Sequence, residues 1–148
     1  MKIAKIGSIL LCCCLILVLI GCNNTSNDTL PNEAQTLVEN YMNAFKIGTK
    51  DSAEYAYFRN EEIRDAYCNA ATILIDYRIE KIEKINQNLY ALTILNKTNM
   101  TEDAYLKAYN FVGFIDGEWY FINGVGNIPE SISENLNKEV YSYRTAQP

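Results

Sequence analysis

The 148-residue chain predicts an α+β domain: N-terminal helices packed on one curved antiparallel sheet of about four strands, followed by a short C-terminal helix. Three observations carry that prediction. Apolar residues recur at spacings of three and four from Ala34 to Ala70, and after Ala71 the period changes to alternation. Asp116-Gly117, set between Ile115 and the run EWYFIN, is a two-residue hairpin signal.

The elements follow in order. Ala34, Leu37, Val38, Tyr41, Met42 and Phe45 define helix one over Asn32 to Ile47, closed by Gly48. A second helical block, capped by Thr49 or Asp51, places Ala53, Tyr57 and Phe58 on one side. It is interrupted at Arg59-Asn60 and resumes with Ile63, Ala66, Tyr67 and Ala70, as two short helices or one bent one. Ile73, Ile75, Tyr77 and Ile79 then alternate with Leu74, Asp76, Arg78 and Glu80, a strand with one wet face. The parity breaks at Glu80, where one extra residue, a β-bulge, restores alternation with Ile82. Leu89 to Thr98 and Ala104 to Ile115 are further strands, and Asp116-Gly117 turns the chain into a fourth. Ile132, Leu136 and Val140, spaced by four after Pro129, predict the C-terminal helix.

The N-terminus has its own pattern. Lys2 and Lys5 precede an apolar run from Ile9 to Ile20, shorter than the roughly 20 residues a membrane span needs. The run ends in Leu19-Ile20-Gly21-Cys22, and the polar stretch NNTSNDTLPNE follows. LIGC in this position resembles the bacterial lipobox. The resemblance implies that the Cys22 thiol receives a diacylglyceryl group, with acyl chains such as palmitate, and that cleavage before Cys22 makes it the N-terminus. Residues 1–21 are then a signal peptide, 22–32 a polar tether, 33–140 one domain and 141–148 a tail. Cys12, Cys13 and Cys14 belong to the discarded leader. Two acyl chains give stable anchoring where one gives marginal binding, so the expected location is the extracytoplasmic face of the cell membrane. The competing reading makes Cys22 an ordinary apolar residue of an uncleaved anchor.

Loss of Lys2 and Lys5 leaves 11 basic against 18 acidic residues. Such a surface repels nucleic acid. Of five cysteines only Cys68 then keeps a free thiol, so no intrachain disulfide forms, and Cys68 reads as a small buried hydrophobe. The chain has no histidine, which removes the commonest general base and metal ligand. No metal or cofactor is expected, and Gly124-Val125-Gly126 lacks the spacing and the Lys of a phosphate loop.

Helices first, then long bent strands closing on DGEWYFI, look like the nuclear transport factor 2-like superfold, the cone-shaped α+β domain also seen in ketosteroid isomerase and scytalone dehydratase. The nearest alternative is a cystatin-like sheet with one long helix. By analogy with the enzymes of the superfold, Asp76 beside Tyr77 is a candidate acid–base pair. Neighbours on a strand face opposite sides, so Asp76 faces solvent if Tyr77 faces the core. No catalytic residue is assigned. The eleven tyrosines fit core packing or an amphipathic pocket, with Tyr41, Tyr57, Tyr77, Tyr109, Phe111 and Trp119 as its expected lining. The expected role is non-catalytic binding of a small ligand or an envelope protein. The alternatives are a lyase or isomerase acting on an apolar substrate in the cone, and a structural or assembly protein of the envelope.

Overall fold

Helix α1 (Asn32–Phe45) buries Ala34, Val38, Tyr41 and Met42, the stripe that its periodicity predicts. The structure is a computed structural model and describes residues 28–101, 103–142 and 145–147. Cys22 and the whole predicted leader lie outside the described residues.

After α1 come a single turn, α2 (Thr49–Ser52), a 3-10 turn (Ala53–Tyr55), strand β1 (Ala56–Tyr57) and helix α3 (Glu61–Asn69). The second helical block is therefore broken by a strand. Ala56 turns extended and pairs with Phe121, parallel to β5 (Glu118–Asn123), which takes Tyr57 and Phe58 off the helix expected for them. Helix α3 then starts afresh, because the Asn60 side chain accepts from the Ile63 N–H at 2.9 Å and so satisfies one of the free N–H groups at the helix start.

The remaining strands are β2 (Leu74–Asn86), β3 (Leu89–Thr98), β4 (Tyr105–Ile115) and β6 (Thr145–Gln147). Five strands form the order β1-β5-β4-β3-β2, rather than about four, and β6 pairs with β4 off that path, opposite Tyr105–Lys107. Strands β2 to β5 are the predicted antiparallel meander. The β4–β5 turn places Asp116 at φ 51° and Gly117 at φ 94°, both left-handed as a type I′ hairpin requires.

Strand β2 curves through three register shifts. One falls between Ile79 and Lys81, at the predicted bulge. Another, between Leu74 and Asp76, makes Ile75 an extra residue and resets the parity. Leu74 and Tyr77 therefore share the covered face, whereas Ile73 and Ile75, expected in the core beside Tyr77, are exposed.

Both faces of the sheet are covered. On the α1 side Leu92, Ile94, Val112 and Phe121 pack under the helix. On the other side Leu89, Ala91, Phe111 and Ile122 pack under Ile128 and Ile132. Hence Leu89 to Leu95 is buried at every position, without the wet face of a half-buried strand.

The segment expected as a C-terminal helix is instead three 3-10 turns, Val125–Asn127, Glu130–Ile132 and Lys138–Tyr141. Asn135 at φ 65° interrupts any helix there. The Asn86 side chain donates to the carbonyls of Ile132 (3.0 Å) and Glu134 (2.8 Å), replacing partners that a helix would supply. Gly113 makes room for this layer: a Cβ there would stand 2.6 Å from Ile132 Cδ1 and 2.8 Å from Ile122 Cδ1. No helix among the described residues is long and apolar enough to cross a membrane.

Candidate functional site

Between α1 and the sheet lies a cavity of about 370 Å³. Its apolar walls come from Met42, Phe45, Leu74, Ile94 and Leu106, and its mouth from Ala70, Thr72, Met100 and Thr101. The floor is polar and draws on four elements. Tyr41 lies on the buried face of α1, its ring stacked on Phe121 with centroids 3.7 Å apart and planes 9° apart. Tyr67 comes from α3, and Asn110 and Asn123 sit opposite each other on β4 and β5.

The hydroxyls form a relay. Tyr41 donates to Asn123 Oδ1 at 3.1 Å, the Tyr41 and Tyr67 hydroxyls are 2.7 Å apart, and Tyr67 is 2.7 Å from Ser52 Oγ. Ser52 Oγ in turn donates to the Thr49 carbonyl at 3.1 Å, which also accepts from the Ala53 N–H, so the three hydroxyls form one continuous chain between Thr49 and Asn123. The relay ends on the Asn123 oxygen, and Asn123 Nδ2 is left buried with no partner among the described residues. Asn110, 7% exposed, lines the same floor, and its side chain makes no hydrogen bond among the described residues.

Burial raises the Tyr41 phenol well above its ordinary pKa of 10.0, and the neighbouring Tyr67 adds to the rise. Burial also raises Tyr67. Both stay protonated at neutral pH. The unfolded chain ionises such phenols near pH 10 while the fold holds them neutral, so stability is intact below pH 10 and is lost as pH rises beyond it. The urea midpoint is expected to stay level from pH 7 to about pH 9 and to fall above pH 10. Tyr41→Phe should flatten that fall; an equally steep fall in the variant would assign it to other tyrosines.

Of the six residues expected to line a pocket, only Tyr41 lines this cavity. Tyr57 borders an open depression on the outside with Arg64, Asp116 and Tyr120. Tyr77 packs at the edge of the α1-side core, 5.8 Å below the Lys46 Nζ. Trp119 packs on Tyr90 and Phe114. Phe111 lies on the opposite face, and Tyr109 borders a groove there with Lys81 and Glu83. Alternation on β4 explains the separation, since Ala108, Asn110 and Val112 face α1 and the residues between them do not. Asp76 is exposed, and hydrogen bonds from the Tyr105 hydroxyl and the Tyr77 N–H hold its carboxyl below the usual range.

The sequence reading missed Ser52, Tyr67, Asn110 and Asn123. The two asparagines did leave a signal: Asn110 interrupts an apolar strand and Asn123 ends one, both at inward positions. Among the described residues no group of three or more Cys, Asp and Glu side chains is placed to hold a metal ion.

No family model matches the chain, and no curated protein is similar to it. Two solved structures are. One is an NTF-2-like protein of unknown function from Silicibacter pomeroyi, 18% identical, covering 60% of this chain and 87% of its own, with a TM-score of 0.45. The other is a domain of unknown function with a cystatin-like fold from Nostoc punctiforme, 13% identical, covering 76% of this chain and 94% of its own, with a TM-score of 0.44.

Proposed function

We propose that the protein is an extracytoplasmic lipoprotein, held to the cell membrane by a diacylglyceryl group on Cys22, whose nuclear transport factor 2-like domain binds a small ligand without transforming it. The order of helices, bent meander and closing hairpin supports the cone-shaped fold. The cavity on the α1 side carries the binding reading. Its polar groups are assembled before any ligand arrives, and its volume falls in the usual range for small-molecule sites. Among the described residues its lining has no carboxylate, amine or thiol to move a proton near neutral pH, and its two phenols hold theirs. That favours binding over lyase or isomerase chemistry.

Native mass spectrometry of the full gene product, isolated from its own cells, tests both halves. The expected species starts at Cys22 with a diacylglyceryl mass and retains a small molecule. Ala108 is buried on the cavity wall. Ala108→Phe should lose the small molecule and keep the lipid, and Cys22→Ser should lose the lipid. An unmodified Cys22 would overturn the anchor, and a ligand retained by Ala108→Phe would place binding elsewhere.

A further inference from the structure

The floor of the cavity holds hydrogen-bonding capacity that the protein does not use. Asn123 spends its oxygen on Tyr41, and its Nδ2 is buried without a partner. Asn110, directly across on β4, is 7% exposed and keeps both its carbonyl and its NH2 free among the described residues. A carboxamide buried without partners costs about 1–3 kcal/mol. Asn123 Nδ2 is closed off by its neighbours, whereas the Asn110 carboxamide faces the cavity with both groups free, where a molecule offering an acceptor and a donor together can pair with it.

The surroundings restrict that molecule further. Among the described residues no Asp, Glu, Lys or Arg lines the cavity, so an ionised ligand would leave its hydration without meeting a counter-charge there, which is costly. Beyond the floor Leu74, Ile94 and Leu106 suit a hydrocarbon body, with Asn96 and Thr98 the polar residues beside them. The space equals about a dozen waters at roughly 30 Å³ each, enough for a ring or a short chain with one polar head.

We propose that the ligand is a neutral, amphiphilic small molecule whose polar end carries an acceptor and a donor side by side, as in a carboxamide, and that Asn110 reads that end. The Asn110 oxygen accepts the ligand's N–H, and the Asn110 NH2 donates to its carbonyl. This rests on the reading of the cavity as the binding site and adds the class of ligand to it.

Four matched probes decide it: 4-phenylbutanamide, 4-phenylbutanoate, 4-phenylbutylammonium and butylbenzene. Each is titrated calorimetrically into the full chain in phosphatidylcholine nanodiscs, with empty discs subtracted. The amide should bind at least about tenfold more tightly than the other three. Asn110→Leu should abolish that preference while butylbenzene binds as well or better. The near-isosteric Asn110→Asp, which preserves the shape of the floor, should shift preference to the ammonium probe. Equal binding of amide and butylbenzene, or a preference for either ion in the unaltered chain, would overturn the ligand class and leave the cavity as a binding site. Failure of all four, together with failure of the neutral dye Nile red to bind in a way that Ala108→Phe blocks, would overturn the binding reading as well.

Discussion

Replacing Phe121 with alanine lowers the free energy of unfolding by about 3–5 kcal/mol, the range for deleting a large buried aromatic. Phe121 is 1% exposed and belongs to the α1-side core. Its backbone pairs with Val112 on one side and Ala56 on the other, and its ring carries Tyr41 at 3.7 Å. The loss has two parts. One is the transfer of the phenyl ring to water, and the other is a void that merges with the cavity instead of closing. Urea titration measures the sum, with an unchanged slope showing that the unfolded state is unaffected. A loss below about 1 kcal/mol would show that the cavity wall collapses freely and that the Tyr41–Phe121 stack does not hold α1 to the sheet. Phe121→Leu, which refills most of the volume, should recover more than half of the loss.

A chain ended after Gly124 is expected not to fold. The segment beyond Gly124 has no α-helix among the described residues, yet Ile128 and Ile132, 4% and 5% exposed, close the second face of the sheet. Its removal uncovers Leu89, Phe111 and Ile122, all completely buried. A contiguous apolar sheet face of that kind is not stable in water and draws chains together. Soluble yield and the near-ultraviolet circular dichroism of the tyrosines report the outcome. A soluble, cooperatively melting truncation would show that α1 and the meander are self-sufficient. Ile132→Ala gives the graded version, a loss of about 2–4 kcal/mol.

What could be read from the sequence follows how local the cause was. Helix α1, strands β3 and β4, the Asp116-Gly117 hairpin and the bulge at Glu80 are set by periodicity or turn chemistry within a few residues, and all were legible. Strand β1 was not, because two residues gain their conformation only by pairing with β5, more than 60 residues on. The parity of β2 was misread because a bulge at Ile75 leaves no mark in a run where both parities are apolar. The spacing of Ile132, Leu136 and Val140 marked an apolar C-terminal segment but not that it lacks α-helix, since the Asn86 side chain decides that from 46 residues away. The site was the least legible. Tyrosine abundance pointed to aromatics on both faces of the sheet. The polar floor instead depends on two asparagines that stand out only once the inward parity of β4 and β5 is known.

The place where the chain joins the domain decides which way the cavity opens. Asp28 bonds the backbone of Ile82 (3.1 Å) and Lys84 (2.8 Å), eight residues along β2 from Leu74 at the cavity end, a distance of about 26 Å. From Cys22 to Asp28 the chain reaches at most about 21 Å when fully drawn out. The lipid proposed on Cys22 would therefore hold the domain by the end opposite the mouth, with Ala70 and Met100 turned away from the bilayer. A protein held in that proposed way would sample the solution outside the cell rather than the membrane beneath it. The proposed cargo would then travel through water, arriving or leaving by diffusion without the anchor letting go.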